Sequence, residues 1–244
     1  TIQDYDRGVL VGQRTYGKGL VQRHADVGYN SKIKLTISEY YIPSGRCIQS
    51  VRYDDDGEPI EVPLSERNSF KTKNGRLVQD GGGVLPDLVM ESSELESLVD
   101  QLNQKLIIFK YVNEYLREER MTQIPENYRF EDEDKFFEYL DSLGFIFDDE
   151  ITKEIEKAIL KALEQDEDNL ANDLQGILEK KKTKDFQLLK SNPDRLRIEI
   201  EKEISGRFYK RRGKIKTQMR NDPALKEALN LLNDPTRYES LLNN

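Results

Sequence analysis

The sequence predicts an α+β fold in two parts: residues 1–91 built of strands and loops, then residues 92–244 wholly helical. Three observations carry this. The stretch from Ser31 to Tyr41 alternates polar and apolar residues, the period of a half-buried strand. Glycine and proline are frequent up to about Glu91 and thin out beyond it. From there apolar residues recur every three or four positions, the period of an amphipathic helix.

In the first part, Arg7-Gly8-Val9-Leu10-Val11-Gly12 is a short apolar run that reads as a buried strand feeding a tight turn. Leu20 to Gly28 reads as a second strand and Ser31 to Tyr41 as the clearest one. Pro43-Ser44-Gly45-Arg46 is a turn. Val51 to Val84 carries little periodicity and is expected to form long loops with short strands. Within it, Asp54-Asp55-Asp56-Gly57 is acidic enough to suggest calcium, but it lacks the downstream Glu of an EF-hand and reads as a solvated turn. Pro86 to Met90 is the closing strand.

The helical part starts near Ser92-Ser93, where a serine precedes Glu94 and Glu96. Leu95, Leu98, Leu102, Leu106, Phe109, Val112 and Leu116 form one stripe, which predicts one long helix ended by Pro125. Asp132 to Leu143 is a second helix, stopped by Gly144. Asp148-Asp149-Glu150 opens a third, with Ile151, Ile155, Ala158, Ile159 and Leu163 expected inward. A fourth runs from Asp168 to about Lys182. The fifth begins at Pro193, with Leu196, Ile200, Ile204 and Phe208 on one face, then Ile215 and Met219. Short helices over Ala224–Leu232 and Arg237–Leu242 close the chain, each opened by Asp-Pro.

The stripes read as core or partner-facing seams rather than a cofactor box. Acidic pairs such as Asp132/Glu133 and Asp148/Asp149 sit where they complement a helix dipole. The helical part is therefore expected to pack on the first part and to mediate self-association or hold a protein adaptor. Between Arg207 and Arg220 stand seven basic residues and no acidic one. This run reads as a solvated face or an acidic-partner contact, with no aromatic ladder for stacking bases. The net charge of −8 also argues against general nucleic-acid affinity. No run approaches a membrane span, and no signal peptide is visible, which leaves location open.

The chemistry-bearing stretch is Gln13-Arg14-Thr15-Tyr16-Gly17-Lys18-Gly19-Leu20-Val21-Gln22. Lys18 has three readings. It is a surface turn lysine, the common fate of lysines in glycine-rich loops. It belongs to a phosphate loop, since Gly12 to Lys18 fits G-x-x-x-x-G-K; but Gly19 stands where Ser or Thr should, and a strand-like run follows where a helix should. Or it is a general base, its amine neutral inside an enclosed pocket, with a hydroxyl nucleophile to act on. The single His24 cannot build a metal site without converging carboxylates. The single Cys47 excludes an internal disulfide and reads as a buried, inert thiol rather than half of a Cys–His dyad.

Three blocks in order decide between these readings. Asp4-Tyr5-Asp6-Arg7-Gly8-Val9-Leu10-Val11-Gly12 running into Thr15 to Gln22 resembles the C-terminal processing, or tail-specific, serine proteases. Tyr40-Tyr41-Ile42-Pro43-Ser44-Gly45-Arg46-Cys47-Ile48-Gln49 resembles their "YYTPSGRSIQ" segment, and Gly81-Gly82-Gly83-Val84-Leu85-Pro86-Asp87 their "GGIxPD" segment. The resemblance covers about residues 1–90. It implies that residues 1–91 are the C-terminal part of an α/β protease domain whose first half lies upstream.

The resemblance also implies a catalytic Lys18 that activates a serine, and a Gln22 that orients Lys18, with no cofactor and no metal. The substrates it implies are unfolded or C-terminally tagged polypeptides. The family's serine lies on an upstream helix, and no residue between Thr1 and Gly17 matches it. The chain is thus expected to carry base and orienter without a nucleophile and to be inactive alone. A PDZ module is expected upstream, and a bacterial periplasmic or envelope setting follows from the resemblance alone. The alternative is a non-enzymatic peptide-binding or assembly module, a pseudo-protease.

Overall fold

A computed structural model describes residues 1–54, 56–91 and 93–243. Its strands are β1 (Val11–Gly12), β2 (Leu20–Gly28), β3 (Ser31–Glu39), β4 (Val51–Tyr53), β5 (Pro59–Glu61), β6 (Ser69–Lys71), β7 (Leu77–Gln79) and β8 (Leu88–Val89). Its helices are α1 (Glu94–Gln104), α2 (Ile107–Glu118), α3 (Glu133–Ser142), α4 (Glu150–Glu164), α5 (Asp168–Ser191), α6 (Pro193–Met219), α7 (Pro223–Leu232) and α8 (Pro235–Asn243). The fold is α+β, with most of the helices in the C-terminal half. Two compact units emerge: Thr1–Glu91 with Pro223–Asn244, and Ser92–Asp222. The expected boundary at Ser92-Ser93 falls partly on Ser92, which lies outside the described residues. The helical part was expected to reach Asn244, but α7 and α8 pack with the first unit.

In that first unit, β1 and β8 pair in parallel, Val11 opposite Leu88 and Gly12 opposite Val89. The expected Arg7–Gly12 strand shrinks to its last two residues because Thr1 to Arg7 coils into turns, with the Arg7 N–H on the Ile2 carbonyl. β2 and β3 form an antiparallel ribbon closed by Tyr29 and Asn30, both at positive φ, the twist a two-residue hairpin turn requires. Gln22/Thr36, His24/Lys34 and Asp26/Lys32 pair on its polar face, Arg23/Leu35 and Ala25/Ile33 on the other. The expected loop region contains two small hairpins, β4–β5 and β6–β7. In the former, the Asp54 carboxylate accepts the N–H groups of Asp56 and Glu58, as a turn does. Asp55 of the acidic run lies outside the described residues.

The centre of this unit is ionic. Val62 and Leu231 are its buried hydrophobic residues among those described, whereas Gln3, Asp4, Arg46, Thr72 and Arg76 are all buried. Arg46 donates to Asp4 at 2.7 Å, to the Gln3 side chain at 2.8 Å and to the Gln79 carbonyl at 3.1 Å. Arg76 donates to Asp6 at 2.7 Å and to Asp87 at 2.5 Å, and Asp87 also accepts the Leu10 N–H. Burial raises the Asp4 carboxyl, but the Ser44 N–H and Arg46 outweigh it and hold the group below the usual carboxylate range. Burial likewise raises Asp6, and the Asn74 N–H and Arg76 bring it below that range.

The second unit has an apolar core. Tyr111 stacks edge-on against Phe130 and Phe136, and Leu102, Ile108, Leu140, Leu189, Leu196, Ile200 and Ile204 complete it. Ser93 caps α1 by accepting the Glu96 N–H, as its position predicts. The single long helix expected up to Pro125 is instead α1 and α2, separated at Leu106, which is left-handed with φ 58°. The cause is a slip in apolar phase. Leu98, Val99 and Leu102 face inward in α1, and Ile107, Ile108, Tyr111, Val112 and Tyr115 do so in α2. From Leu102 to Ile107 is five residues, which a straight helix turns about 140° out of phase. Leu106 and Phe109 consequently end up exposed.

Asp149 caps α4 by accepting the Thr152 N–H. Of the residues expected inward on α4, Ile155 and Ile159 are, while Ile151, Ala158 and Leu163 are exposed. α5 runs past Lys182 to Ser191, since no glycine or proline stands between Lys182 and Asn192-Pro193. α6 reverses at Lys210, where φ is 53°. Gly213 then lies against Ser205 and Tyr209, and Thr217 donates to the Ser205 hydroxyl. Ile215 and Met219, expected inward, are therefore exposed. The basic run around this reversal pairs inside the chain: Arg207 and Lys214 with Glu203, Lys216 and Arg212 with Glu126, and Arg220 with buried Glu201. No helix among the described residues is long and apolar enough to cross a membrane.

Candidate functional site

The loop bearing Lys18 is clamped from both sides by the two later motif blocks. Gly17 has φ +74°, and a Cβ there would stand 2.7 Å from both the Gly83 nitrogen and the Ile48 oxygen. A Cβ at Gly19 would stand 2.8 Å from the Gln49 nitrogen. Only glycine allows backbone to approach this closely on both flanks of the lysine. Hydrogen bonds close the arrangement. Thr15 N–H donates to the Val84 carbonyl at 3.0 Å, Gly83 N–H to Ile48 at 3.0 Å and Ser50 N–H to Gly17 at 2.9 Å. The Gln49 side chain accepts the Gly19 N–H at 2.7 Å. Tyr40 braces the lysine from the third direction, its hydroxyl donating to the Lys18 carbonyl at 2.7 Å.

Lys18 and Gln22 come together. The Lys18 ammonium donates to Gln22 Oε1 at 3.4 Å, and the Gln22 amide donates to the Thr36 hydroxyl at 3.5 Å across the ribbon. Gln22 lies near the start of β2, and the β2–β3 register places Thr36 opposite it. The enclosed pocket expected around the amine is absent among the described residues: Lys18 is exposed. A cavity of about 760 Å³ is lined by Gln3, Arg46, Arg76 and Asp87 but not by Lys18 or Gln22. The phosphate-loop reading fails on geometry, because β2 and not a helix N-terminus follows the lysine. His24 stands exposed on the ribbon opposite Lys34, and Cys47 is half-buried beside Gly19.

Sequence reasoning missed Thr36, Tyr40 and Gln49 as supports of the lysine loop. It also missed that Asp4, Arg46 and Asp87, each inside a quoted motif, form the ionic centre. The one available signal was that all three are charged residues within otherwise turn-like or apolar blocks. The glycine clamp yields a direct prediction. Gly28→Ala, at φ +86° with nothing within 4 Å of its Cβ, should cost about 1–2 kcal/mol for the left-handed backbone alone. Gly17→Ala should cost clearly more, because its Cβ meets backbone that cannot swing away. Urea unfolding of the two variants checks the difference; equal losses would mean the clamp is loose.

A glycine-flanked lysine is thus braced between a strand–turn block and a Gly-Gly-Gly block, with a helical unit following in the chain. The chain belongs to the family described as probable PDZ-protease, C-terminal helical domain, whose model matches residues 98–232. Residues 1–58 match the model of peptidase family S41. The chain is 38% identical over 66 residues to a carboxy-terminal-processing protease of Bartonella bacilliformis, covering 27% of this chain and 15% of that protein. It is 34% identical over 55 residues to the chloroplastic C-terminal processing peptidase of Tetradesmus obliquus, covering 22% and 12%. It is 35% identical over 63 residues to a carboxyl-terminal-processing protease of Synechocystis, covering 26% and 14%. The match thus spans less than a sixth of each relative's length, and no solved structure matches.

Proposed function

We propose that the whole protein is a serine endopeptidase of the tail-specific type, cutting unfolded or C-terminally tagged polypeptides, with Lys18 as general base and Gln22 as its orienter. The observation that carries this reading is the Lys18–Gln22 hydrogen bond on a loop locked by the other two motif blocks. In the reaction, a serine hydroxyl attacks the scissile carbonyl and Lys18 takes its proton. Lys18 then protonates the leaving amine, and water later releases the acyl group by the same route. Among the described residues the Lys18 ammonium bonds Gln22 and no hydroxyl. On this reading a serine and the oxyanion donors are supplied to Lys18 by a part of the protein other than residues 1–244, as the family resemblance implies, and this chain alone is inactive. A bacterial periplasmic or envelope setting goes with the same reading and rests on the resemblance.

The test uses the intact polypeptide containing this chain, incubated with an unfolded protein and, separately, with a fluorophosphonate probe for activated serines. Fragments together with covalent labelling are expected from the intact polypeptide, and neither from residues 1–244. Peptide capture without fragments and without labelling would overturn the reading in favour of a pseudo-protease.

A further inference from the structure

The α4–α5 hairpin carries an apolar face that the rest of its own unit leaves uncovered. α4 packs chiefly on α5. The seam between them is a small cluster, Ile159, Ala162, Ala171 and Leu178, separate from the main core. On one side of that seam, α4 presents Ile151, Ile155 and Ala158 at spacings of four and three, and α5 presents Leu170, Leu174 and Ile177 at the same spacings. Ile151, Ile155, Ala158 and Leu174 line one shallow groove. Leu170 and Ile177 flank Leu174 on its own face of α5. Ile151 is 64% exposed, Leu170 50% and Ile177 49%. Buried residues of an ordinary amphipathic pair would not be placed so.

The charges bordering this face say what covers it. Along the outer edge of α4 run Glu150, Glu154, Lys157 and Lys161, again at spacings of four, three and four. The acidic pair lies at the N-terminal end and the basic pair follows it, Glu154 and Lys157 pairing within the helix, while Glu164 continues the edge at the C-terminal end. Along the outer edge of α5, Asp173 precedes Lys180 with the same polarity. Such an edge is self-complementary when two copies meet antiparallel: Glu150 and Glu154 of one face Lys161 and Lys157 of the other. A parallel pairing of like edges sets acid on acid and base on base.

We propose that the α4–α5 hairpin is a homodimerisation surface, two copies of the chain meeting across a two-fold axis with α4 antiparallel to α4 of the partner. An isologous contact of this kind uses one patch on both subunits and closes at two copies. The four-helix arrangement it forms buries both apolar strips and leaves the charged edges as its rim. The surface is independent of the peptidase reading.

Sedimentation equilibrium of the 244-residue chain over a concentration series tests it. A monomer–dimer equilibrium is expected at low salt. Ile151→Glu and Leu170→Glu, both at exposed positions, should each weaken it at least tenfold with unchanged helical circular dichroism. Glu150→Lys with Glu154→Lys should also weaken it, because the edge becomes wholly basic. Adding Lys157→Glu and Lys161→Glu should restore it, a rescue that non-specific association does not show. A chain that stays monomeric at every concentration overturns the proposal. So does a dimer insensitive to the two glutamate substitutions, which would place the contact elsewhere, or a four-residue exchange that fails to restore pairing.

Discussion

Arg46→Ala should destabilise the first unit by about 3–5 kcal/mol, enough to remove much of the stability of an ordinary domain. The Asp4 side chain is 0% exposed and the Arg46 side chain 2%, so removing the guanidinium strands a carboxylate where water cannot reach it. The Gln3 side chain and the Gln79 carbonyl lose a donor in the same step. A hydrophobic core cannot absorb the loss, since Val62 and Leu231 are the buried apolar residues of this unit among those described. Arg46→Met combined with Asp4→Leu should cost less than the sum of the single changes, because no charge is left behind. Urea unfolding followed by a probe in the first unit measures both.

The same network predicts acid lability with a definite sign. Asp4 and Asp6 sit below the carboxylate range in the folded state, so their ionised forms contribute stability that is fully present above the unfolded value of about 4. That contribution falls away as pH drops from about 4 through the lower folded values. The first unit should therefore lose stability as pH falls below about 4. An Arg46→Ala variant whose unfolding free energy stays within about half a kcal/mol of the parent's would show the network to be dispensable.

Why sequence reasoning saw some of this and not the rest follows from range. β2 and β3 were legible because strict alternation is a local signal, and α3 ended at Gly144 as expected because a positive φ of 57° suits glycine. The break between α1 and α2 was written in the apolar phase, but Leu106 and Phe109 extended a plausible stripe across it. α7 and α8 announced themselves by Asp-Pro, yet nothing local says which unit a helix packs on. The ionic centre was illegible for a stronger reason. Asp4 meets Arg46 over 42 residues and Arg76 meets Asp6 over 70, and a charge in sequence carries no mark of its partner. The candidate site stood between these cases. Its residue types were readable from three ordered blocks, but that those blocks close on Lys18 through Gly17, Gly19 and Gly83 is a tertiary fact.

Lys18→Ala in the intact polypeptide should lower kcat by at least about a thousandfold, with KM changed far less, because a general base acts in the transition state rather than in substrate binding. Lys18→Arg separates proton transfer from mere positive charge. A guanidinium keeps the charge but stays protonated throughout the working pH range, so it should be nearly as inactive as alanine. A variant retaining charge and activity together would point to electrostatic stabilisation instead. With Gln22 in the proposed orienting role, Gln22→Ala should cost less than either, since that role exchanges no proton. Its loss should fall on kcat with KM changed far less. The loop itself is tied to Val84, Ile48 and Gln49 by backbone and side-chain bonds that do not involve the lysine side chain. Both Lys18 variants should therefore keep the parent's unfolding midpoint, so that lost turnover reads as lost chemistry. Full turnover by Lys18→Ala would end the assignment of Lys18 as the base, whatever the fold.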